Sequence, residues 1–134
     1  MHEYVVYIAT KTPNLSGKYE CSGKRLTDSN TVILDWEATI EIKQEGNKMG
    51  IIQRDDTDYA DGSPKFSSES VVAWLKTATD GRVELKYLYK ANGKQSYEGV
   101  MNLTFTKDLQ TANGTYYTDN VGNRHGIINW KKII

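Results

Sequence analysis

Residues 34–43 alternate without a break: Leu34, Trp36, Ala38, Ile40 and Ile42 fall on one side of an extended chain, and Asp35, Glu37, Thr39, Glu41 and Lys43 on the other. A helix repeats its faces every 3.6 residues and cannot serve this pattern. A period of two with one dry face and one wet face specifies a strand packed on one side. The pattern returns twice. Val83, Leu85, Tyr87 and Tyr89 alternate with Arg82, Glu84, Lys86 and, less cleanly, Leu88. Tyr97, Gly99, Met101, Leu103 and Phe105 alternate with Glu98, Val100, Asn102, Thr104 and Thr106. No stretch sustains a helical period.

Further strands are predicted over residues 15–24, with Gly17, Tyr19 and Cys21 on one side, and over 49–54 and 70–76, where the inward face is ambiguous. Residues 115–118 and 125–133 close the chain. Turn residues punctuate these runs at 27–30, 45–47, 61–64, 80–81, 91–93 and 120–123, where Gly, Asn and Asp supply the positive φ that tight hairpins need. Only the connection over 55–68 is long enough for a flexible loop. Short connections between about eight strands favour a meander, and closing the sheet removes its two edges. The expectation is therefore an all-β fold: a single closed antiparallel up-and-down barrel over residues 15–134, preceded by an N-terminal extension over 1–14. At 134 residues the chain is one ordinary domain that buries enough surface to fold without a disulfide or metal staple.

Lysine and arginine number 17, as do aspartate and glutamate. With charge balanced and no basic stripe, polymeric nucleic acid is not an expected partner. A small nucleotide remains possible, because one or two local cations suffice for it. Cys21 is the only cysteine, so no intramolecular disulfide can form, and a small core residue in a reducing, cytoplasmic setting is expected. The longest apolar run, Tyr4-Val-Val-Tyr-Ile-Ala9, falls far short of the roughly 20 residues a spanning helix needs. The wet faces carry interspersed Glu and Lys with no traceable apolar patch, so the domain is expected to be monomeric without ligand.

Nothing in the chain points to catalysis. There is no nucleophile elbow, no P-loop and no dinucleotide-binding glycine motif. Asp55, Asp56, Asp58 and Asp61 lack the ordered spacing of a calcium loop and read as a solvated acidic loop. Neither a metal nor a cofactor is expected. What stands out is the aromatic content of the inward faces: Tyr19, Trp36, Tyr87, Tyr89, Tyr97 and Trp130. Each is an ordinary core residue taken singly. Several inward tyrosines together suggest a partly polar interior, since every buried hydroxyl needs a partner. Aromatic faces also stack on nucleobases. Arg124 shares parity with Ile128 and Trp130. It either faces the barrel mouth, where a phosphate would give it two charge-assisted hydrogen bonds, or belongs to the 120–123 turn and reaches solvent.

The C-terminal run Gly114-Thr-Tyr-Tyr-Thr-Asp119, followed by Arg124-His-Gly126 and the strand Ile127-Ile-Asn-Trp130, resembles the end of a known domain. It is similar to the β-strand-rich sensor of the two-transmembrane effectors of CBASS antiphage defence. The Leu15-Ser-Gly-Lys-Tyr19 opening and the alternating strand fit the same domain. The resemblance implies a non-catalytic barrel that binds a cyclic oligonucleotide, most simply a cyclic dinucleotide, made by a partner nucleotidyltransferase. The ligand-binding candidates are then Arg124, Tyr116 and Thr118 of the motif, with the inward Tyr19, Trp36, Tyr87 and Tyr89. Members of the family carry two membrane helices, are anchored in the bacterial inner membrane, and assemble on binding ligand. This chain departs there: membrane contact is expected only through helices absent from these residues, and assembly only with ligand or with those helices. The rival reading is an avidin- or lipocalin-like carrier of an apolar or vitamin-like ligand. The missing disulfides and the parity of Arg124 weigh against it.

Overall fold

The computed structural model describes residues 13–46, 48–58, 60, 62, 65, 67–92, 97–119 and 124–134. They form eight strands: β1 (Gly17–Leu26), β2 (Val32–Glu45), β3 (Lys48–Asp55), β4 (Ser67–Thr77), β5 (Val83–Asn92), β6 (Tyr97–Phe105), β7 (Thr111–Thr118) and β8 (Arg124–Lys132). Each is antiparallel to the next, and β1 pairs with β8, so the sheet closes into one up-and-down barrel. The expected fold class is the observed one. Residues 1–12, most of the expected extension, lie outside the described residues, as does the side chain of Tyr97.

Alternation dictates the interior. Tyr19, Cys21, Ala38, Ile40, Ile42, Ile51, Val83, Leu85, Tyr87, Met101, Leu103, Phe105, Ala112, Ile128 and Trp130 are all buried and form one core. Two ends can be told apart. At the lower end, where β2, β4, β6 and β8 finish, Tyr19, Phe105 and Trp130 pack ring against ring at 5.5–6.0 Å. Leu15, fully buried, closes this end from below. Gln44 ties the approach down: its Oε1 accepts from the Leu15 amide at 2.8 Å, and its Nε2 donates to the Pro13 carbonyl at 2.7 Å. The C-terminus completes the floor, where the Lys18 amide donates to the Ile134 carbonyl.

The structure corrects three sequence expectations. First, Asp55 is not part of a solvated loop. It ends β3 opposite Ala38, on the inner face, and is 7% exposed. Asp56 and Asp58 are exposed, and Asp61 lies outside the described residues. Second, β7 begins at Thr111, ahead of the expected start; Thr111 to Gly114 are small or polar and carry no apolar alternation to announce a strand. The turn before it uses Leu109 at φ 62°, a residue that gives no turn signal. Third, the outer wall is not uniformly charged. A register shift between Ser70 and Val72 changes the parity of β4, leaving Val71, Val72 and Trp74 exposed beside Leu88 of β5.

Candidate functional site

At the upper end, where β1, β3, β5 and β7 finish, the interior changes character. Gly23 of β1 pairs with Trp36 of β2, and Gly126 of β8 pairs with Tyr116 of β7. Neither glycine has a side chain to occupy the wall, so the partner's ring lies across it. A Cβ on Gly23 would come within 2.0 Å of the Trp36 ring, and one on Gly126 within 2.8 Å of the Tyr116 hydroxyl. The two rings therefore lean toward each other over β1 and β8. The Trp36 indole N–H donates to the Tyr116 hydroxyl at 3.1 Å, and the rings meet edge to face with centroids 5.5 Å apart. Together they make an aromatic shelf joining two strands that are not neighbours in the sheet.

A third pair repeats the device. Tyr89 of β5 lies over Gly99 of β6, whose Cβ would meet the ring at 2.3 Å. Its hydroxyl shares a short hydrogen bond with the Thr118 hydroxyl of β7. Burial pushes the Tyr89 phenol up to about 12, partly offset by the bond to Thr118. Tyr116 is raised for the same reason, against the hydrogen bond from Trp36 and the positive fields of Arg25 and Arg124. Both phenols are neutral donors at physiological pH.

Arg124 opens β8 opposite Thr118 and is half-buried. Its Nε is fully buried and has no hydrogen-bond partner among the described residues. A guanidinium N–H buried without a partner is costly, which singles Arg124 out as a candidate site residue. Across the barrel, β3 and β4 supply a polar wall: Gln53, whose buried Oε1 also lacks a partner among the described residues, with Asp55 and Ser68. No three His, Cys, Asp or Glu among the described residues are placed to hold a metal ion.

Of the seven expected site residues, five come together here: Trp36, Tyr89, Tyr116, Thr118 and Arg124. Tyr19 stands apart at the lower end, where its hydroxyl donates to the Leu15 carbonyl at 2.6 Å. Tyr87 lies between the two groups, 6.3 Å by ring centroid from both Tyr89 and Trp130, with a buried hydroxyl that has no partner among the described residues. Sequence reasoning missed Arg25, Gln53 and Asp55. The signal for Arg25 was parity: it lies two residues beyond Gly23, on the face of Tyr19 and Cys21.

The described barrel thus has one end filled by packed rings and the other lined by aromatic, amide and guanidinium groups. The family model described as the Cap15 cyclic dinucleotide receptor domain matches residues 10–132. The chain belongs to that family, the CBASS sensor class that its C-terminal run resembles. No curated protein matches it. No helix among the described residues is long and apolar enough to cross a membrane.

Proposed function

We propose that this barrel senses a cyclic dinucleotide at its upper end, without turning it over. The half-buried Arg124, whose Nε has no hydrogen-bond partner among the described residues, carries the reading. A guanidinium held in a partly dry site gains most from a phosphate, which accepts two charge-assisted bonds from it. The shelf offers a face on which a nucleobase stacks for ~1–3 kcal/mol. Tyr89 and Thr118 add hydroxyls for a sugar or phosphate oxygen, and Tyr87 marks the depth the ligand can reach. Tyr19, committed to the floor, takes no part. The family then implies the wider role, the sensing half of an antiphage defence effector, with any assembly or membrane step following ligand capture.

Thermal melting with cyclic dinucleotides tests this. A ligand at 100 times its Kd adds ~2.7 kcal/mol, worth roughly 10 °C for a domain this size. Failure of every cyclic dinucleotide, with a rise for a fatty acid or biotin-like compound, would overturn the reading in favour of a carrier.

A further inference from the structure

Among the described residues, Arg25 and Arg124 are two cations placed together at the upper end with no ion pair. Arg25 of β1 pairs with Gly126 of β8, and Arg124 lies two residues before Gly126 on the same strand. The two arginines are therefore same-face diagonal neighbours on adjacent strands, a relation that sets backbones about 7–8 Å apart. Both are half-buried. None of the ion pairs among the described residues involves either one; the cations that are paired there, Lys24, Lys43, Lys65 and Arg82, all point outward or lie in loops. Both also act on the same Tyr116 phenol, so their positive fields converge on the aromatic shelf. Two like charges set side by side repel, and the repulsion grows as water is excluded. Such a pair is relieved by a dianion.

We propose that Arg25 and Arg124 act as a two-cation clamp that matches the two phosphodiester charges of a cyclic dinucleotide and so discriminates against a singly charged cyclic mononucleotide. The proposal rests on the cyclic dinucleotide reading above and assigns Arg25, which neither the sequence motif nor the family description names, to the same site. Gly126, between them in register, leaves the room that the Tyr116 ring occupies: a Cβ there would come within 2.7 Å of that ring.

Calorimetry would use wild type, Arg25→Ala, Arg25→Lys and Arg124→Ala against cyclic di-AMP, cyclic di-GMP, cyclic GMP-AMP and cyclic AMP. Each alanine variant should lose roughly 10- to 100-fold in affinity for the tightest cyclic dinucleotide, the scale of one charge-assisted hydrogen bond. Lysine should restore part of that loss, and the preference over cyclic AMP should narrow. Without ligand, Arg25→Ala should melt no lower than wild type, because a repulsion has been removed. Wild-type affinity in Arg25→Ala, with Arg124→Ala weakened, would overturn the clamp and leave the functional reading standing. A fall in unliganded melting temperature matching the lost affinity would also overturn it, by making Arg25 structural. Wild type binding none of the four would overturn both.

Discussion

Three tryptophans in this chain face three environments, and their side chains should answer substitution differently. Trp130 is 1% exposed and touches Tyr19, Tyr87 and Phe105. Trp130→Ala should cost ~3–5 kcal/mol, as removal of a large core ring does. Trp74 is 49% exposed on the outer wall, with the Lys86 ammonium 5.8 Å over its ring. Trp74→Ala should cost under ~1 kcal/mol, since an exposed cation–π contact and partial burial are all that is lost. Trp36 lies between. Its strand parity made it look like a core residue, yet it is half-buried at the barrel's end, over a glycine. Trp36→Ala should cost ~1–2 kcal/mol of stability while removing most of the ligand affinity, and Glu37→Ala on the outer face should change neither. Urea midpoints for the four variants decide the order. A Trp74→Ala loss as large as that of Trp130→Ala would mean the outer face is covered in solution.

Among the elements, β3 and β4 make the weakest joint. Every other neighbouring pair runs all of its shorter strand or all but one residue of it, whereas β3 and β4 pair only through Ile52–Glu69, Gln53–Ser68 and Arg54–Ser67. Past that point Ser70 patches the gap with its side chain, its Oγ accepting from the Ile51 amide at 2.9 Å. Hydrogen exchange should therefore find the seam-facing amides of β4 among the first strand amides to exchange, and those of β5 and β6 among the last. Equal protection across all eight strands would show the seam to be tighter than its geometry. The same joint marks where sequence reading failed. In β5, β6 and the inner part of β2 a strict period of two carried strand and face together, because one-sided burial leaves no second solution. Leu34, expected on the dry face, is exposed near the start of β2. In β4 the irregularity at Val71 breaks that period, so apolar residues no longer indicate the interior. Asp55 was misread because a carboxylate beside a loop resembles loop more than wall, and Arg25 was missed because its strand was ended two residues early, at Lys24. The candidate site was thus half legible. Its aromatic and Arg124 members followed from parity and motif; its β3 wall depended on closure, which brings together strands far apart in sequence.

For the whole molecule, buried acids that must stay protonated set an alkaline limit. Burial raises Tyr19 from 10.0 to about 12, Tyr89 from 10.0 to about 12 and Cys21 from 9.0 to about 12. Tyr87 is raised well above its ordinary value, first by burial and then by its neighbours Cys21 and Tyr89. In each case the folded state holds its proton at a pH where the unfolded chain has released it. Stability from these groups is complete below pH 9 and falls as pH climbs through the window from about 9, where the unfolded thiol titrates, to about 12. Each such group favours the folded state until pH passes its raised pKa, and Cys21 and Tyr89 both act on Tyr87 within the same core. The barrel should therefore unfold before its inner tyrosines ionise one by one. Tyrosinate absorbance and far-ultraviolet circular dichroism, followed against pH, should change together in one cooperative step for these groups. A saturating cyclic dinucleotide should move that step to higher pH, because binding to the folded state alone opposes unfolding. Buried tyrosines that ionised near pH 10 while the circular dichroism stayed native would mean the interior is wet, and the sealed lower end described above would have to be abandoned.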